Sequence, residues 1–227
     1  MSSYAGAGVD IEAGDRAVEL MKSKVARATR SEVVGGLGGF AGLFRLDTSK
    51  YTDPLLASST DGVGTKLAIA QAMGKHDTVG IDLVGMVVDD LVVCGAEPLF
   101  LQDYIACGQV SPERIAEIVG GIAEGCLQAG CALVGGETAE HPGVMGADDY
   151  DISGTGVGVV NADSVLGSDR VRPGDVRVAM GASGLHSHGS SLVPHVPPAR
   201  GGPRPRSPPC ARRGPQVRDQ PPGPRAA

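Results

Sequence analysis

The chain has 227 residues, enough for one large or two small domains. Hydrophobic residues make up 41% and aromatics only 3%, with no Trp, so the core must be built from Val, Leu, Ile, Ala and Met. The net charge is −6, no apolar run reaches the length of about 18 residues that a membrane helix needs, and Met1–Gly6 lacks the basic and apolar regions of a secretory signal, so a cytoplasmic protein without a membrane partner is expected.

In chain order, a helical pattern begins near Asp15, with Val18, Met21 and Val25 at three- and four-residue spacing and basic residues gathered at its end. Gly35-Gly36-Leu37-Gly38-Gly39-Phe40 follows, and four glycines in five positions suit neither helix nor strand. It reads either as a flexible linker or as a loop folded over a phosphate, and the apolar flanks Val33-Val34 and Phe40–Phe44 favour the loop. Strands are expected at 41–46 and 54–60. The second runs into Thr60-Asp61-Gly62-Val63-Gly64-Thr65-Lys66 and then a helical pattern over 67–73. Glycines let the backbone turn and approach a ligand, a helix start offers N–H groups to an anion, Asp61 can hold a divalent cation, and Lys66 can meet phosphate oxygens. The stretch does not match the Walker A spacing, and taken alone it reads equally as an Asp-Gly turn followed by a surface lysine.

Residues 78–94 are nearly all apolar and predict a buried helix. Asp82 and Asp89 then share one face about 10 Å apart, with Asp90 beside it. Acids in so apolar a helix are either salt-bridged or part of a metal–phosphate site, and the body of the chain is poor in basic residues. A strand is expected over 99–107 and a helix from Ser111-Pro112 to about Ala129, with Ser111 as its cap. A short strand at 131–134 then ends in Gly135-Gly136-Glu137-Thr138. Further strands are predicted over 150–160 and 176–180. Cys94, Cys107, Cys126 and Cys131 lie among apolar residues, have no metal-type spacing, and are expected to be buried thiols.

From Pro194 the character changes. Of the last 34 residues 11 are Pro and seven are Arg, with one acidic residue, so 13 basic and 25 acidic residues remain in 1–193. This tail is predicted to be disordered. Without aromatic residues it offers no stacking platform, so no nucleic-acid partner is expected. Its bias towards Pro, Arg, Gly and Ala is that of GC-rich codons read out of frame, and it is read as a frameshift product.

Asp90-Leu91-Val92-Val93-Cys94-Gly95-Ala96-Glu97-Pro98 resembles the D-x4-G-A-x-P signature of the aminoimidazole ribonucleotide synthetase superfamily. Gly8–Ile11, Gly35–Phe40, Thr60–Lys66, Gly80–Val84, Gly135–Glu140 and Ser183–Ser187 are similar, in order, to blocks of the phosphoribosylformylglycinamidine cyclo-ligases. Selenophosphate synthetases, hydrogenase-maturation proteins and thiamine-monophosphate kinases share the scaffold but fit these blocks less well. The chain differs from the cyclo-ligase pattern at Asp89-Asp90, where Asn-Asp is expected, and at Ser187-His188-Gly189-Ser190-Ser191, where Ser-Asn-Gly-Tyr-Ser is expected.

The resemblance implies an α/β (α+β) fold. An N-terminal ferredoxin-like domain over 1–165, with helices on one face, would bind ATP and pair with its twin in a homodimer. A second α/β domain would begin at 171–193, with only its first strands present. The implied reaction is ATP-dependent ring closure of formylglycinamidine ribonucleotide. The resemblance makes Asp61, Asp82, Asp90 and Glu137 candidate Mg²⁺ ligands. Asp61, Lys66 and His186 become candidate catalytic residues. Gly35, Gly36, Gly38, Gly39, Asp61, Gly62, Gly64, Thr65, Lys66, Asp90, Gly136 and Glu137 would contact nucleotide. The alternative is an inactive remnant that only dimerises or binds nucleotide.

Overall fold

The computed structural model describes residues 10–36, 39, 41–182, 184, 186 and 187. The expectations for Gly38 and the 194–227 tail lie outside these residues. Helix α1 (Ile11–Arg27) is capped by Asp10, whose carboxylate accepts the Ala13 N–H at 3.0 Å. A short antiparallel pair, β1 (Val33–Val34) and β2 (Leu43–Phe44), brackets the glycine loop. The main sheet holds β3 (Pro54–Gly62), β4 (Glu97–Cys107), β5 (Ala132–Glu140) and β6 (Tyr150–Asn161) in the order β3-β6-β4-β5. Helices α2 (Leu67–Met73) and α3 (Val79–Val93) link β3 to β4, and α4 (Pro112–Ala129) links β4 to β5.

The expected α/β architecture, a sheet with helices packed on one face, is present. Its wiring is more specific than the ferredoxin-like βαββαβ pattern. Here the units run βαβαββ, and β4 pairs parallel with β5 while β6 runs antiparallel to both β3 and β4. The parallel neighbours need a crossover, which α4 supplies.

The core lies between sheet and helices. Leu83, Val84, Val87 and Leu91 of α3 and Ile115, Ile118, Val119 and Ile122 of α4 are buried, at the spacing their apolar patterns predict. Helix α3 rests directly on β6 because β6 offers glycines there. A Cβ on Gly156 would fall 2.6 Å from Val87 Cγ1, so a larger residue would lift the helix.

Four local expectations change. Strand β5 does not stop at Val134; it continues through Gly135-Gly136 to Glu140, because β4 supplies ladder partners out to Cys107. Residues 176–180 form no strand, and Val176, Val178 and Met180 are exposed. Cys94 is exposed rather than buried, because it caps the end of α3 beyond the last packed turn. Ser111 occupies the cap position of α4 without a side-chain cap bond, and only its carbonyl engages, accepting the Ile115 N–H at 3.0 Å.

Candidate active site

The predicted site residues fall into two groups on the sheet. The first is a wall between β3 and α3. Strand β3 carries Asp61 to its C-terminal end, where Asp61 Oδ1 accepts the Gly62 N–H at 2.7 Å. Gly64 adopts φ +70°, a left-handed conformation that a side chain resists. A 3-10 turn over Gly64–Lys66 then leads into α2. The strand–turn–helix reading of this stretch therefore holds. Lys66 Nζ lies 2.8 Å from Asp82 Oδ1 in the first turn of α3, with both side chains largely buried. One turn-pair further along α3, Asp90 Oδ2 accepts the Ser59 hydroxyl at 2.7 Å. Ser59 and Asp61 point to the same side of β3, so Asp61, Lys66, Asp82 and Asp90 gather along one seam. Asp89 is exposed.

The second group surrounds a cavity of about 390 Å³ under α1. Gly36, Gly39 and Gly42 of the glycine loop line it on one side, the α1 face of Ala17, Val18 and Met21 covers it, and β4 and β5 form its floor. Glu140 at the end of β5 joins two of the surrounding segments. Its Oε2 accepts the Asp10 N–H at 2.9 Å and its Oε1 the Val110 N–H at 2.7 Å, tying the start of α1 to the β4–α4 connection.

Ladder register relates the groups. Asp61 pairs with Gly154 of β6, Gly154 pairs with Asp103 of β4, and Asp103 pairs with Gly136 of β5. Asp61 and Asp103 thus lie on one rung and one face, two strands or about 10 Å apart. Glu137 stands on the next rung with Tyr104, so alternation turns it towards the opposite face at the rim of the cavity. The structure therefore does not bring Glu137 together with Asp61, Asp82 and Asp90. Among the described residues no three His, Cys, Asp or Glu side chains form a cation cage. His186 is exposed and lies outside the sheet and its helices. Thr65 and Gly62 belong to the wall, while Gly35 turns the chain at φ +94° as it enters the glycine loop.

Asp103 is the residue that sequence reasoning passed over. In β4, Leu99, Leu101, Ile105 and Cys107 are buried on the helix-facing side, and Asp103 falls in the same alternating phase. That phase was visible in the sequence as a carboxylate in an apolar row. Asp103 is only 8% exposed, and burial pushes its carboxyl up to about 7, since desolvation disfavours the ionised form. Gly136 makes room for it, because a Cβ there would fall 2.3 Å from Asp103 Oδ1.

Fold and site together define an α/β domain with a glycine-marked strand–turn–helix at the end of one strand and a glycine-lined cavity on the same face. Residues 39–160 match the family model described as AIR synthase related protein, N-terminal domain, and the chain belongs to that family. It is 57% identical over 191 residues to the phosphoribosylformylglycinamidine cyclo-ligase of Desulfitobacterium hafniense, covering 84% of this chain and 56% of the relative. It is likewise 57% identical over 194 residues to that of Brevibacillus brevis, covering 86% and 56%. The chain thus spans just over half the length of the curated relatives it matches. A crystal structure of E. coli HypE, a hydrogenase maturation protein, superposes with TM-score 0.51 at 23% identity over 69% of this chain and 46% of that one, a likeness of fold.

Proposed function

We propose that the chain takes part in the cyclo-ligase reaction: ATP-dependent closure of formylglycinamidine ribonucleotide to aminoimidazole ribonucleotide, with release of ADP and phosphate. The observation that carries this is the Asp61–Lys66 turn, folded between strand and helix with Lys66 held by Asp82, in a chain 57% identical to proteins of that name. In the reaction ATP phosphorylates the formyl amide oxygen, and the substrate's own nitrogen then attacks that carbon as phosphate leaves. Such chemistry asks for positioning and charge neutralisation more than for a protein nucleophile. Lys66, oriented by Asp82, supplies a cation for the transferring phosphoryl group. The N–H groups of the 62–66 turn and of the glycine loop at 35, 36 and 39 supply donors for phosphate oxygens.

Asp61 and Asp90, on the shared seam, would hold Mg²⁺. Among the described residues no cage of three protein ligands forms, and one or two carboxylates plus phosphate oxygens match the usual coordination of this ion. The ion would neutralise phosphate charge. The face of the sheet turned away from the helices, bearing the hydrogen-bonded Thr60–Thr155 hydroxyl pair and Tyr104, is the surface through which two copies would pair.

The test is formation of ADP and aminoimidazole product by the purified chain with ATP, Mg²⁺ and substrate. Turnover is expected, falling by a factor of about 10²–10³ in Asp61→Asn. A folded, nucleotide-binding chain without turnover would favour the alternative, a remnant that binds nucleotide or dimerises only. Sedimentation at micromolar concentration tests the dimer, and a monomer would remove that part of the reading.

A further inference from the structure

The cavity under α1 contains a polar group for which the fold provides almost nothing. Asp103 is more than nine-tenths buried and lines the cavity floor. Among the described residues, the only hydrogen bond to its carboxylate comes from its own main-chain N–H. Three other carboxylates are better supplied. Asp82 has Lys66, Asp90 has Ser59, and Glu140 has two main-chain donors. A buried carboxylate without donors costs several kcal/mol unless something brings them. The site is also shaped around the carboxyl, because Gly136 opposite leaves the volume that any Cβ would fill.

The lining decides what could bring those donors. No Lys or Arg is among the described residues that line the cavity, so no cationic side chain there faces Asp103. The walls are mostly apolar side chains and glycine backbone, with Ala17, Val18 and Met21 above and Gly42 and Leu133 at the side, and Gln102, Glu137 and Thr138 complete the lining. A mostly apolar slot of about 390 Å³ with a buried acceptor, Asp103, at its base suits a flat ligand presenting N–H donors, and its size lies within the range of small-molecule sites.

We propose that this cavity is a nitrogen-base subsite in which Asp103 accepts hydrogen bonds from an amidine or an exocyclic amine of a bound small molecule, with Gly136 kept side-chain-free so that the carboxylate can reach it. The proposal rests on the preceding section only for the two sources of such a group: the adenine amine of ATP, or the amidine of the ribonucleotide substrate. Asp103 would be a binding and orienting residue two strands along the rung from Asp61.

The experiment titrates the purified full chain with ATP, with ITP, which has an oxygen in place of the exocyclic amine, and with acetamidine. Calorimetry follows the nucleotides and NMR shift changes follow the amidine, with circular dichroism to establish folding. Asp103→Asn and Gly136→Ala are the variants; the second keeps the carboxylate but crowds it, so the two fail to fold for different reasons. Binding of ATP about tenfold tighter than ITP, with the ratio erased in both variants, supports the proposal and names the amine as source. Acetamidine binding lost in both variants supports it and names the amidine. Equal behaviour of wild type and both variants overturns it, as does a folded wild-type chain that binds neither donor group preferentially. If ATP does not bind but acetamidine does so through Asp103, the nucleotide reading falls and the subsite stands. If ATP binds with no dependence on Asp103 and acetamidine does not bind, the subsite falls alone.

Discussion

The β3–α3 wall and the β4–β5 cavity lie on the same face of one sheet, yet they treat charge in opposite ways. In the wall, Lys66 meets Asp82 at 2.8 Å and Ser59 meets the exposed Asp90 at 2.7 Å, so the polar groups there are paired by the fold or open to solvent. In the cavity, Asp103 sits in an apolar row, and among the described residues its own N–H is the one hydrogen-bond donor to its carboxylate. The first arrangement is stable as it stands. The second carries a cost that the folded chain bears unless another molecule removes it.

Removing one charge should therefore have opposite signs in the two places. The largest expected effect is at Asp103. Its folded carboxyl is raised from 3.8 to about 7, so between these values the folded state binds more protons than the unfolded state. Stability contributed at this position then falls as pH rises through that window, by up to about 4 kcal/mol. Asp103→Leu should flatten this dependence and be more stable than the parent at pH 8, measured as the urea midpoint at pH 5 and pH 8. An unchanged pH slope would mean that the carboxylate already has donors. A smaller loss is expected in the wall. Lys66→Met strands the Asp82 carboxylate, with a cost of about 1–3 kcal/mol in chemical denaturation at pH 7. A neutral outcome there would erase the contrast between the two regions. The smallest effect belongs to neither. Arg16 and Glu113 pair at 3.0 Å across α1 and α4 with both side chains well exposed, so Arg16→Ala should shift stability by no more than about 0.5 kcal/mol.

Much of the wall was legible because its signals are local. An apolar strand, then Asp61-Gly62-Val63-Gly64, then a helical period is a strand–turn–helix in any context, and the structure places β3, the 3-10 turn and α2 there. The apolar run 78–94 was long enough to separate helix from strand, and α3 is the result. Reading its acids as metal ligands or as salt bridges required knowing their neighbours, and Asp82 proved to face Lys66. Strand β5 misled because glycine pairs are poor strand formers in isolation. Its pairing with β4 overrides that preference, and the missing Cβ at Gly136 accommodates Asp103. Val176–Met180 carries a strand-like composition, but a strand also needs a partner edge, and none is found for it among the described residues.

By itself, then, the amino-acid sequence determined the helices and strands whose apolar period is strong, the glycine-marked turns, and the motif blocks that assign the chain to its family. Only the tertiary structure decided which polar residues share a space. Strand register set Asp61, Gly154, Asp103 and Gly136 on one rung and turned Glu137 to the other side. Register is a relation between segments distant in the chain, fixed by which faces can be buried together, and no stretch of sequence contains it alone.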